Sequence, residues 1–398
     1  MVSSRESLRA WLRLSLTPGV GNVTARTLLQ SFGLPEAIFE RSATDLQALV
    51  SVAVSQQLCA VPQALEDALE TTWAWLQAQD SFGKRLLTLA DADYPSSLML
   101  TPDPPCLLYV LGQTQHLSWL SPAPFKAPQA VAVVGSRNPT PQGRINAKDF
   151  AHTLAQAGLT VVSGLALGVD AAAHQGALDG GSAANPLHTV AVVGTGLDRV
   201  YPQQNHTLAM RIAAKGLLIS EYPLNTPPHS SNFPQRNRLI AGLSQGCLVV
   251  EAATRSGSLI TARQTLDMGK EVFAIPGSIH TTVAKGCHDL IKQGAKLVDC
   301  AQDILEELKD LPDAPWNGAS STPSLEASLE SQSRKAQDGP QSLNVLDHLG
   351  QDPVGLDELQ LRSGLPTAQL QAELFQLELK GSLGRLPGGL YQQLKRRS

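Results

Sequence analysis

The residues best suited to chemistry lie in four stretches where small or basic residues surround an apolar run. In Val131-Ala132-Val133-Val134-Gly135-Ser136-Arg137, Gly135 lets the backbone approach a phosphate. Ser136 adds a hydroxyl, and Arg137 a charge-assisted, bidentate contact. The stretch Val162-Ser163-Gly164-Leu165-Ala166-Leu167-Gly168-Val169-Asp170 leads into a helix at Ala171, with Ser163, Gly164 and Gly168 as anion candidates and Asp170 placed as an N-cap. Glu251 to Ser258 puts Ser256, Gly257 and Ser258 at a helix start, where free N–H groups and the helix dipole favour anions. The last, Asn232-Phe233-Pro234-Gln235-Arg236-Asn237-Arg238-Leu239, gathers Phe233, Arg236, Asn237 and Arg238. Guanidinium groups suit phosphates, and a ring suits a base face. Phe233 fits a core role equally well. Arg236 and Arg238 cannot both be buried without partners, so one could hold an internal carboxylate such as Glu221 or Glu251.

Other chemistries fail on spacing. A dinucleotide fingerprint needs G-x-G-x-x-G at a helix start. Gly135-Ser136-Arg137 lacks the second glycine, and Gly194-Thr195-Gly196 lacks the third because residue 199 is Arg. There is no GxxxxGK[ST] loop for ATP. Five scattered cysteines without a CxxC pair argue for reduced thiols, against a disulfide framework and against structural zinc. Nine histidines form no HxH or HxxxH cluster, so no metal or other cofactor is expected. The first residues lack the layout of a secretory signal, and no apolar run reaches membrane-spanning length. A cytoplasmic location without membrane contact is the expectation.

A net charge of −4 looks wrong for an anion binder until it is divided along the chain. Residues 1–128 carry 8 Lys+Arg against 11 Asp+Glu, a net −3. Residues 129–300 carry 14 against 10, a net +4, and residues 301–398 carry 9 against 14, a net −5. Local potential governs phosphate affinity, so the middle segment is where an anionic ligand belongs.

The same segment carries short apolar runs at 130–134, 160–162, 189–193, 216–219, 247–251 and 271–275, with amphipathic stretches between most of them. Continuous Val/Ile/Leu runs alternating with helices predict a doubly wound, Rossmann-like α/β domain with a parallel sheet over 129–311. Before it, residues 1–115 read as a helical domain and 116–128 as a linker. The turn Thr17-Pro18-Gly19-Val20-Gly21 between two helical patterns resembles a helix-hairpin-helix turn, and fits an ordinary interhelical turn as well. Residues 312–340, rich in Ser, Ala, Gln and Pro, read as a flexible linker. Three short helical patterns and a hairpin over 341–398 resemble a winged helix.

The residues go further by resemblance. The ordered run VAVVGSR, VVSGLALGVDAAAH, VAVVGTGLDRVYPQQN, GLLISEYP, FPQRNRLIAGLS, VVEAATRSGSLITA, VFAIPG and LIKQGA, from about Ala130 to Ala295, is similar to the DprA (DNA-processing protein A, or Smf) family. The flanks agree with family members that carry an N-terminal helical domain, of the SAM or helix-hairpin-helix kind, and a C-terminal winged helix. The resemblance implies a non-enzymatic homodimer that coats incoming single-stranded DNA, protects it and helps load the RecA recombinase during natural transformation. By that carry-over Gly135, Ser136 and Arg137 hold a phosphate with Ser163, Gly164 and the helix start near Gly168, Phe233 stacks on a base, and Arg236 and Arg238 line a positive pocket. His229, Ser230 and Ser231 stand where some relatives have a basic residue. The rival reading is a nucleotide phosphoribohydrolase of the lysine-decarboxylase-like (LOG) group. Its PGGxGTxxE stretch would correspond to residues 254–261, which carry no carboxylate at the required spacing.

Overall fold

The computed structural model describes residues 4–79, 81–119, 130–181, 185–308, 345, 349, 353–380, 382–386 and 389–394. The described residues up to 308, residues 140–142 aside, form one compact unit, and those from 345 onward belong to a second.

The apolar runs become the centre of a nine-stranded mixed sheet. Its strands are β1 (Gly83–Thr88), β2 (Leu107–Gly112), β3 (Ala130–Val134), β4 (Thr160–Ser163), β5 (Thr189–Val192), β6 (Leu217–Ser220), β7 (Gly246–Val249), β8 (Glu271–Ala274) and β9 (Lys296–Leu297), in the order β1-β2-β6-β5-β4-β3-β7-β8-β9. From β6 to β9 every pairing is parallel. All five residues of β3 are buried because helices cover both faces. Side chains alternate across the pleat. Val131 and Val133 meet α8 (Pro141–Gln156), α9 (Val169–Gly180) and α14 (Ala301–Glu307). Ala130, Ala132 and Val134 share the opposite core with α11 (Asn232–Gly242), α12 (Ser258–Asp267) and α13 (Lys285–Lys292).

The N-terminal segment is helical only in part. Helices α1 (Arg5–Leu16), α2 (Asn22–Phe32), α3 (Pro35–Phe39), α4 (Ala43–Gln47), α5 (Val52–Cys59), α6 (Leu65–Gln77) and α7 (Ser96–Met99) match the helical expectation. Residues 83–112, however, supply β1 and β2, and β2 pairs antiparallel with β6. A boundary at residue 115 therefore does not separate two cores. Leu8, Leu12 and Leu28 share one hydrophobic cluster with Tyr109, Ala191 and Leu218 of the sheet, and with α10 (His206–Lys215). The turn at Gly19 does join α1 to α2, with Gly19 at φ +82°. The Asn22 side chain that follows it is hydrogen bonded to the buried Glu221 carboxylate.

In the second unit α15 (Leu356–Ser363) and α16 (Thr367–Leu379) pack with an antiparallel sheet of β10 (Val354–Gly355), β12 (Leu390–Gln393) and β11 (Leu383–Leu386), the layout of a winged helix. Leu359, Leu370, Leu374 and Leu383 form its core with Val345 and Leu349. Of the segments read as linkers, 312–340 and residues 120–128 lie outside the described residues.

Candidate nucleic-acid interface

In a doubly wound sheet the strand order reverses beside the first strand, and ligands bind at the carboxyl ends there. Here that strand is β3: the chain proceeds outward through β4, β5 and β6, then returns to its other side with β7. A cleft of about 740 Å³ opens at this point. It takes Gly135, Ser136 and Arg137 from the end of β3, Ala166 and Asp170 from the loop and helix after β4, and Arg255, Ser256, Gly257 and Ser258 from the turn into α12. Phe233, Arg236, Asn237 and Ile240 come from α11.

Close backbone approach builds the β3 end. A Cβ on Gly135 would lie 2.8 Å from Val169 Cγ2 and 2.9 Å from the Glu251 carbonyl oxygen. The Ser136 amide donates to that same carbonyl at 2.7 Å, tying the ends of β3 and β7 together. Ser136 Oγ accepts from the Asn138 amide at 3.1 Å, which stiffens the turn that presents Arg137. Gly168 sits behind this turn at φ +83°, where a Cβ would come within 2.4 Å of the Ser136 carbonyl oxygen. It shapes the floor and does not line the cleft. Gly168→Ala combines a left-handed backbone with that clash, so we expect a stability loss of ~1–3 kcal/mol, read as a lowered Tm.

The fourth stretch is the opening of a helix, and helical spacing divides its residues. Phe233, Arg236, Asn237 and Ile240 repeat at the three- and four-residue intervals of one face, which faces the cleft. Arg238 points elsewhere. Its Nε lies 3.0 Å from Asp103 Oδ2 and its Nη2 pairs with Glu221, with 12% of the side chain exposed. Burial pushes the Glu221 carboxyl up, and Arg238 opposes that shift. The expectation that Arg238 lines the pocket is thereby corrected: it is an internal ion-pair residue joining α11 to the end of β6 and the segment before β2.

Arg236 reaches the cleft but is 5% exposed. Its Nη1 donates to the Gly164 carbonyl oxygen at 2.7 Å and to that of Val192. Gly164 leaves room for this: a Cβ there would lie 2.6 Å from Nη1. Asp170 faces the guanidinium and accepts from the Ala166 amide at 3.3 Å. Burial raises the Asp170 carboxyl, with Arg236 pulling the other way. Asp170 is not the N-cap, a position Gly168 holds. Ser163 is fully buried with its hydroxyl donated to the Val133 carbonyl at 2.7 Å. Ser163, Gly164 and Gly168 thus frame the cleft from behind instead of lining it, against the expectation of direct phosphate contact.

Arg137 and Arg255 remain as the exposed cations of the site, and neither has an ion pair among the described residues. Arg137 Cζ lies 5.7 Å from the Phe233 ring centroid, a cation–π arrangement. Phe233 is half-buried over Gly194, where a Cβ would meet its Cδ1 at 3.1 Å. Asn237 Nδ2 donates to the Gly257 carbonyl at 3.3 Å, fastening α11 to the α12 turn, while Ser256 and Ser258 share a 2.7 Å hydroxyl bond. Sequence reasoning did not single out Arg255 or Tyr201, although both stand in motifs it quoted. Tyr201 lines the cleft after β5 with its ring centroid 5.6 Å from that of Phe233.

Comparison with known proteins agrees with this architecture. A family model described as DNA recombination-mediator protein A matches residues 85–309, and one described as the DprA winged helix domain matches residues 330–389. Protein Smf of Escherichia coli (strain K12) is 38% identical over 335 residues, 83% of this chain and 82% of that protein. Protein Smf of Synechocystis is 32% identical over 410 residues, 96% and 98% of the two chains. The X-ray structure of DNA processing protein A from Streptococcus pneumoniae aligns with a TM-score of 0.61 at 34% identity, over 77% of this chain and 99% of that one. The matched span runs from β1 through α14 and takes in every side chain of the cleft: the chain belongs to the DNA recombination-mediator protein A (DprA/Smf) family.

Proposed function

We propose that the cleft at the β3/β7 switch point binds single-stranded DNA. On this reading the protein acts without catalysis as a homodimeric recombination mediator in the cytoplasm, shielding incoming strands and helping load RecA during natural transformation. The observation that carries the reading is the pairing of two exposed arginines, Arg137 and Arg255, with a half-buried ring at the mouth of one cleft. Phosphates take the guanidinium groups, and an unpaired base takes the ring face. The cleft's carboxylate, Asp170, is held against Arg236 and the Ala166 amide, which supports binding over acid–base catalysis and disfavours a phosphoribohydrolase. No described helix is long and apolar enough to cross a membrane.

Fluorescence anisotropy with a labelled oligothymidylate tests the site. Arg137→Ala and Arg255→Ala should each weaken binding by ~1–2 kcal/mol. Each should also flatten the slope of log affinity against log salt by about 0.7, the value per phosphate on a single strand. If both variants keep the parental affinity and slope, the cleft is not the DNA site. RecA strand exchange on the same oligonucleotide, with and without the protein, tests the mediator role.

A further inference from the structure

We infer that Tyr201 is a second base-stacking surface, so that the cleft engages two consecutive unpaired bases; this rests on the single-stranded DNA reading above. Tyr201 is 48% exposed, high for an aromatic residue on the wall of a cleft. Its hydroxyl makes no hydrogen bond among the described residues, so the ring is held by its contact with Phe233 and not through its polar end. The Tyr201 and Phe233 centroids are 5.6 Å apart with an interplanar angle of 31°. A base inserted between two rings needs roughly 7 Å, twice the contact distance of ~3.5 Å. The rings therefore touch one another in a tilted, offset contact that leaves no slot between them, and they form a stepped platform, not a clamp. Arg137 lies over the Phe233 ring, so the base that stacks on that ring meets a cation there. The next base along the strand falls on Tyr201.

Such a platform selects strand state more than sequence. Every base has a π-face, and a duplex hides those faces in its own stack. A preference for unpaired DNA follows from the same two rings, with no base-edge contact required. Thymine, cytosine, adenine and guanine are all accommodated, with larger rings covering more of the platform.

The test uses full-length protein and two oligonucleotides of equal length, one with bases and one of abasic units. On the base-bearing strand Tyr201→Ala should bind about tenfold more weakly than the parent, whereas Tyr201→Phe and Tyr201→Trp should stay close to it. On the abasic strand the gap between Tyr201→Ala and the parent should close. Parental binding by Tyr201→Ala on the base-bearing strand overturns the inference. So does an unchanged gap on the abasic strand, which would make Tyr201 a packing residue. Failure of the parent itself to bind the base-bearing strand would instead remove the single-stranded DNA reading, and this inference with it.

Discussion

Arg236→Leu should destabilise the protein by ~3–5 kcal/mol, a large share of the 5–15 kcal/mol by which folded domains typically persist. The guanidinium is nearly inaccessible and holds the carbonyls of Gly164 and Val192, at the ends of two neighbouring strands, to the inner face of α11. It is also the positive charge that faces Asp170, itself 8% exposed. Leucine would fill part of the space but leave two buried acceptors without a donor and a carboxylate without a counter-charge. Urea unfolding followed by far-UV circular dichroism reads the loss. Adding Asp170→Asn to Arg236→Leu should recover part of it, because the stranded charge disappears with the second substitution. A stable Arg236→Leu variant that loses only DNA affinity would make this arginine a ligand of the strand and not a strut beneath it.

Which arginine does which job was not legible in the sequence. Arg236 and Arg238 are two positions apart, and in an extended loop both could face one ligand. On a helix they diverge by roughly 200°. The stretch carrying them begins with Phe-Pro and has weak apolar periodicity, so its helical nature was hidden. Asp103 and Glu221, which claim Arg238, come from other elements and only the fold brings them near. The parallel core was legible for the opposite reason. Strands buried on both faces must be mostly apolar, and β3 to β8 announce themselves as short apolar runs with polar residues only at their ends. The run Leu107-Leu108-Tyr109-Val110-Leu111 has the same texture and is wholly buried as β2. Its partner β1 starts with Gly83-Lys84-Arg85 and so carries no apolar run to mark a second strand beside it, while β9, at two residues, is too short to show any run. For the cleft, the small residues at the strand ends were readable from their need for close backbone approach. Tyr201 and Arg255 were not, since nothing in their neighbours distinguishes an outward ring or cation from an ordinary surface residue.

Behind the cleft, His174 should make the protein acid-sensitive through a single proton. The ring is fully buried on α9, with Nδ1 2.7 Å from Thr189 Oγ1. That hydroxyl already donates to the Val161 carbonyl at 2.6 Å, so it accepts from the imidazole, and the ring proton sits on Nδ1. Nε2 is buried with no hydrogen-bond partner among the described residues. A second proton there would be charged, unsolvated and close to Arg236. Burial first, and Arg236 second, push the imidazole down to about 3 from its ordinary 6.5. The unfolded chain therefore takes up this proton more readily than the folded one. Stability from the neutral ring is fully present above pH 6.5 and is lost as pH falls toward about 3, amounting to ~2 kcal/mol by pH 5. Between pH 6 and pH 4 the parent should lose stability more steeply than His174→Gln, by about 1.4 kcal/mol per pH unit, the linkage value for one proton. Carboxylates titrate in both proteins and cancel in that difference. Equal slopes in urea unfolding across the pH series would mean that the folded protein accepts the proton on His174, and that water or an anion reaches the layer beneath the cleft.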